Sequence, residues 1–304
     1  MEEFVGAEVG RWVKEIELLA KIACSYPQTA FAALTHGMVG RWVYLSRTTP
    51  GSPPAYLVLQ EAIRNILLPA MLSRPSPGDD EWELLALPIR FGGLGIPAPV
   101  TICREEEKVS QAVTVPWVEK IKSQKFALGT VLDDVATAKV AAAHSKREAI
   151  KCRVANVLEK QSPAVVRAVE IACDKGASAW LTALPTAAHG FDLSKSAFRD
   201  SVHLRYGRAI PDTPLTCVCG CPFTVSNTLQ CPTGEFPSVR HNEIRNLIGD
   251  LLGEVCHDVA VEPSLQPITS ERFFIAVLRL IMMPESILPP PAFSVAALNG
   301  HFST

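Results

Sequence analysis

A chain of 304 residues, 48% hydrophobic and 20% charged, has enough apolar material for one large core or two modest ones, which excludes disorder over most of its length. A formal charge of -2 and a pI near 6.4 exclude a general electrostatic pull toward nucleic acid, so any such binding has to come from local basic patches. Nine cysteines behind an acidic, amphipathic start that is not a targeting peptide fit an intracellular setting, nuclear or cytoplasmic, where clustered thiols more often bind metal than pair as disulfides.

The first element is a helix: Val5, Val9, Trp12, Ile16, Leu19 and Ala23 recur at three- and four-residue spacing on one stripe. Pro27 opens a second helical run through Tyr44, and a third, Ala55 to Leu68, follows the turn-rich TTPGSPP and is expected to close at Pro69. The segment LALPIRFGGLGIPAP, Leu85 to Pro99, mixes paired glycines and prolines with apolar residues, which predicts an ordered, closely packed loop. Helix-forming composition returns over Thr101 to Ala112 and Leu132 to Leu158. One helix is expected from Ala164 to Leu184, ended by Pro185, and another over Ser194 to Tyr206.

Beyond Pro211 the pattern changes to a cysteine-rich turn region, a helix from Ser238 to Cys256, and an alternating apolar piece, DVAVEP, that suits a strand. The most apolar stretch, Phe273 to Met283, is too short to span a bilayer and carries Arg279, so no membrane segment is expected.

Soft ligands suited to tetrahedral zinc gather at Cys217, Cys219, Cys221 and Cys231, with His241 a short way beyond; the alternative is free thiols in a tight turn. Arg240, His241, Asn242, Glu243 and Arg245 open the following helix, where polar residues serve as caps and solvated faces or contact a ligand. Lys146, Arg147, Lys151 and Arg153 on one helix, and Arg199, Arg205 and Arg208 on another, are further candidates for phosphate contacts, with solvated faces balanced by acids as the alternative. His36, His189 and His203 read as hydrogen-bonded packing residues, and Trp12, Trp42, Trp82, Trp117 and Trp180 as core. No Walker loop, nucleophile elbow, H-E-x-x-H or Y-x-D-D turn is present, so no catalytic residues are assigned and no small-molecule substrate is expected.

The order of AKIACSYPQTAFAALTHGMVGRWVYLSRT, EAIRNILLPAML and LALPIRFGGLGIPAP resembles the segment just downstream of the polymerase palm in reverse transcriptases of animal retrotransposons. GASAWLTALPTAAHGFDLSKSAFRDSVHLRYG, CVCG and FPSVRHNEIRNLIGDLLGEVCHDVAVEPSLQP resemble the region that follows in those polyproteins. The resemblance runs from about Phe4 to Glu271 and implies a mainly α fold: a thumb- and connection-like helical region over 1–100, a helical linker region over 101–210, and over 211–304 a zinc-knuckle-like loop with a small cysteine-containing α/β stub. The stub would be the opening of a PD-(D/E)xK endonuclease. In the family the knuckle is C-x-C, a histidine, then a cysteine, which falls on Cys217, Cys219 and Cys231 with Asn227 at the histidine position.

Relatives continue past the LQP motif into a strand of the type F-F-D-V-R-V whose carboxylates serve the nuclease metals. A message for F-E-R-T-F-F-D-V read one base later gives L-N-G-H-F-S-T and a stop, the residues Leu298 to Thr304 here. The segment after Arg272 is therefore expected to be an out-of-frame reading of the nuclease core; the alternative is the divergent tail of an intact gene. The resemblance implies a non-catalytic member of an RNA-directed DNA polymerase lineage, with structural zinc and weak binding of RNA or DNA through Arg199, Arg205, Arg240, His241 and Arg245. The alternative is a helical scaffold that contacts proteins without nucleic acid.

Overall fold

The computed structural model describes residues 2–49, 53–124, 128–211, 213–257 and 259, and the fold is mainly α-helical. The proposed strand DVAVEP, apart from Val259, and everything after it, including the segment past Arg272, lie outside the described residues. The chain divides into two units, Met1–Thr213 and Pro214–Thr304.

In the first unit α1 (Glu2–Ala23) forms on the predicted stripe, and Val5, Val9, Trp12, Ile16, Leu19 and Ala23 are all buried. It packs on a second helical rod: α2 (Pro27–Ala32), a π segment (Ala33–Met38) and α3 (Val39–Thr48). A third rod crosses both: a 3-10 turn (Pro53–Tyr56), α4 (Leu57–Ala62), a second π segment (Ile63–Leu67) and α5 (Leu68–Leu72). Three buried rings join the rods, with Trp12 lying 6.3 Å from Trp42 and 6.2 Å from Tyr56 between ring centroids. Ser46 Oγ ties the cluster to the backbone, 2.7 Å from the Trp42 carbonyl and 3.2 Å from the Tyr56 hydroxyl.

The third rod does not close at Pro69. It runs on to Leu72, because the wider π turn just before Pro69 absorbs the missing N–H and the ring that would break an α-helix. The same turn slips the helix phase by one residue. On an unbroken α-helix Leu59 and Ile66 would share a face, yet Leu59 is buried and Ile66 is 40% exposed while Leu67, Leu68 and Met71 are buried. This rod, over Pro53–Leu72, is among the described residues long and apolar enough to cross a membrane; its apolar face is spent on the core against α1.

After the short α6 (Asp79–Leu85), the glycine-rich loop is ordered as expected: Leu87, Leu94 and Ile96 are buried, and the Leu94 and Ile96 N–H groups donate to the Leu85 carbonyl at 3.1 and 3.2 Å. Glycine is required at 93, where a Cβ would stand 1.9 Å from the Leu87 oxygen, and at 92, where φ is +83°.

Two long helices follow. α7 (Pro99–Ser123) continues well past Ala112, through Pro116, whose neighbourhood is exposed enough for the freed carbonyl to meet water. α8 (Leu128–Glu159) pairs with α7 and carries the expected alanine- and lysine-rich stretch. Glu106, nearly buried, receives hydrogen bonds from Arg47 at 2.7 Å and Lys146 at 2.8 Å, so α3, α7 and α8 meet at one carboxylate. Burial alone would push its pKa up; the hydrogen bonds and charges of Lys146 and Arg47 outweigh that and hold it below the usual range.

The single helix expected over Ala164 to Leu184 is two, α9 (Pro163–Ala172) and α10 (Ala179–Thr182), because the chain turns at Gly176 with φ +86°. α11 (Lys195–Arg205) starts on the side chain of Ser194, which accepts from the Ala197 N–H, and stops at Gly207, φ +61°. The stop is a Schellman pair, Arg208 N–H to the His203 carbonyl at 2.9 Å and Gly207 N–H to the Leu204 carbonyl at 3.0 Å. His203 does hydrogen-bond, through Nδ1 to the Ala209 carbonyl at 2.9 Å, but His36 is exposed, because it follows the buried Leu34 by two positions and so leaves the core face. Trp12, Trp42 and Trp82 are core; Trp180 packs half-buried against it, with its ring edge-on to Phe198, and Trp117 is half-buried on α7.

Two stability predictions follow from this packing. Trp42→Ala removes the ring that joins the rods and is expected to cost about 3–5 kcal/mol, read as a lowered denaturant midpoint. Glu106→Gln is expected to cost on the order of 1–3 kcal/mol at neutral pH. Because the folded pKa of Glu106 lies below its unfolded value, the contribution is complete above the unfolded pKa and fades as pH falls through the folded one; the gap between wild type and variant should therefore close in acid.

Candidate metal centre

In the second unit the segment after Pro214 makes a tight hairpin-like turn. The Cys217 N–H donates to the Cys221 carbonyl at 2.8 Å, the Gly220 N–H to the Cys217 carbonyl at 2.8 Å and the Phe223 N–H to the Leu215 carbonyl at 3.0 Å, with Thr216 bridged to Pro222. Gly220, at φ +82°, supplies the left-handed residue that a turn this tight needs. Thr224 then caps α12 (Val225–Gln230) by accepting from the Asn227 N–H at 3.1 Å, and this short helix returns the chain so that Cys231 is buried at its end.

The result is convergence: the sulfurs of Cys217, Cys219 and Cys231 all lie within 4.8 Å of one another. A tetrahedral ion bonded to sulfur at ~2.3 Å sets its ligand sulfurs inside that limit, so the three thiols are near enough to share one ion. These three residues could hold a metal. Cys221, the fourth cysteine expected from the sequence, is exposed beside Cys219, and its sulfur lies outside the group. His241 lies exposed on α13 (Phe236–Gly253) and is also outside it.

Asn227 occupies the remaining side. Its Nδ2 lies 3.6 Å from the Cys219 sulfur and donates to the Pro222 carbonyl at 3.2 Å. The backbone N–H of Cys221 and the side chain of Asn227 pull the Cys219 thiol down to about 6, while Cys217 and Cys221 are both raised, Cys221 chiefly by its neighbour Cys219. A turn that already stabilises a thiolate at its centre has part of the electrostatics of a metal site in place.

The basic candidates separate into two kinds. Arg199 caps α5, donating to the Met71 and Ala70 carbonyls at 3.0 and 2.9 Å. Arg205 is buried and donates to Ser178 Oγ at 2.8 Å and to the Gly93 and Ile89 carbonyls at 3.0 and 3.2 Å. Arg208 shares Glu81 with Arg74. Lys146 and Arg153 face Glu106 and Glu105 on α7, and Lys151 pairs with Glu148. Arg147 is exposed. In the second unit Arg240 and His241 are exposed on α13, and Arg245, half-buried, reaches Asn246 Oδ1 at 3.0 Å. α13 also exposes Ile244, Leu247, Ile248 and Leu251 by about half.

Comparison with protein-family models, with curated proteins and with solved structures gave no match.

Cobalt(II) titration of the reduced chain is expected to give a sulfur-to-metal charge-transfer band that is lost in Cys219→Ser or Cys231→Ser and kept in Cys221→Ser. Loss in Cys221→Ser would place that sulfur in the group instead.

Proposed function

We propose that this chain is a non-catalytic part of a retrotransposon reverse transcriptase and endonuclease polyprotein, and that it works by weak binding of RNA or DNA through its second unit. The observation that carries this reading is the convergence of Cys217, Cys219 and Cys231, with Asn227 beside Cys219 at the position where the knuckle of the resembled family has a histidine. Zinc is the ion this donor set suits, since soft thiolates favour it over harder cations. Its role would be structural, cross-linking the turn to α12, with Asn227 a weak fourth partner whose place water can take.

The exposed Arg240 and His241, with Arg245 close by on the same helix, supply the phosphate-facing charge. Arg199 and Arg205 belong to the sequence pattern but donate to backbone carbonyls in the first unit, so they are placed outside the interface in this proposal. A helical scaffold that binds proteins is the second reading. It is favoured by the half-exposed Ile244, Leu247, Ile248 and Leu251 on the same helix.

Fluorescence anisotropy of a mixed-sequence single-stranded RNA, titrated with zinc-loaded protein over a salt series, separates the two readings. The binding proposal expects affinity to fall with salt, by a log–log slope of roughly -0.7 per phosphate contact, with a shallower slope for Arg240→Gln. No binding at low salt leaves the scaffold reading. Asn227→His is expected to tighten zinc by about tenfold or more while leaving the salt slope unchanged.

A further inference from the structure

The three converging sulfurs of the second unit lack a fourth ligand of their own strength. Among the described residues no other cysteine, histidine or carboxylate joins Cys217, Cys219 and Cys231. What stands beside them is the Asn227 amide, whose Oδ1 and Nδ2 lie 3.9 and 3.6 Å from the Cys219 sulfur. That amide is fixed in place: Nδ2 donates to the Pro222 carbonyl at 3.2 Å, and the Asn227 N–H donates to Thr224 Oγ1 at 3.1 Å. A neutral amide is a hard, weak donor and adds little to an ion held by thiolates. Cys217 and Cys231 are only 5% and 3% exposed, which limits water as a substitute on their side of the group.

Coordination number then decides the ion. Zinc in structural sites is almost always four-coordinate and tetrahedral, so three thiolates leave it one bond short. Copper(I) is another ion that soft thiolates select, and with a filled d shell and a single charge it is satisfied by three sulfurs in a plane. The backbone helps with the charge. The Cys219 N–H donates to the Cys217 sulfur and the Cys221 N–H to the Cys219 sulfur, so these dipoles offset part of the negative charge that three thiolates bring to a monovalent ion.

We propose that Cys217, Cys219 and Cys231 form a three-coordinate copper(I) site that takes copper in preference to zinc. The proposal rests on the reading of these thiols as one metal centre and does not depend on nucleic acid.

The test uses the reduced full chain under anaerobic conditions, loaded with zinc and titrated with copper(I) buffered by bicinchoninate. Copper should enter one to a chain and expel the zinc, read with a zinc-sensitive dye, and X-ray absorption should count three sulfur neighbours at the copper. Cys219→Ser or Cys231→Ser should weaken copper by about tenfold or more, and Cys221→Ser should leave it unchanged. Asn227→His, which offers zinc its fourth ligand, should raise the copper needed to expel zinc by about tenfold or more. Two or four sulfurs at the copper, equal weakening in Cys221→Ser, or an unchanged copper demand in Asn227→His would each overturn the proposal. If zinc binds these thiols and copper does not displace it, the metal centre stands and the copper proposal falls; if neither ion binds, both fall.

Discussion

The guanidinium of Arg205 is where three separate stretches of the first unit are fastened: the end of α11, the glycine loop between α6 and α7, and the turn that separates α9 from α10. The loop and the turn present the Ile89 and Gly93 carbonyls and the Ser178 hydroxyl to it, and the Ile89 carbonyl also accepts from the Gly92 N–H. A flat, multi-donor side chain is the group that can serve several at fixed angles. Ser178 extends the arrangement, accepting from Arg205 and donating to the Ala172 carbonyl at 2.8 Å. The close approach at Gly93 belongs to the same arrangement, since the tightly folded loop is what presents the carbonyls of residues 89 and 93 to the guanidinium.

The helices were legible wherever one apolar stripe decided the matter. The α1 stripe, the ordered glycine loop and the Ser194 start of α11 all follow from local chemistry that the residues themselves display. The sequence misled where a neighbour changed the local rule. Pro69 is a helix stop in an α-helix but not after a π turn, and Gly176 breaks a run whose composition is otherwise continuous. Pro116 sits within α7 at a cost that tertiary packing of α7 on α3 and α8 offsets.

At the cysteine cluster the nearness of the thiols was legible in the sequence, and which three sulfurs converge was not. Cysteine spacing says that soft ligands are near one another in sequence; it does not say which sulfur a tight turn faces inward. The Cys221 sulfur lies outside the group although its carbonyl closes the turn on the Cys217 N–H, and Asn227 sits beside Cys219 on the short helix that Thr224 caps. The arginines show the same limit. Arg199 and Arg240 look alike in a charge pattern, yet one caps a helix in the first unit and the other stands exposed.

The π turn over Ile63–Leu67 bears on how this chain can be compared with others. An extra residue within a turn shifts every later side chain by about 100°, so the apolar repeat before the turn and the repeat after it are out of step when read with a single 3.6-residue period. A relative that lacks the turn would match Leu59 and Ile63 in one register and Leu68 and Met71 in another. Between two such chains the third rod would align only with a one-residue gap inside a helix, where gaps are ordinarily penalised most, even though the buried surface on both sides had stayed the same.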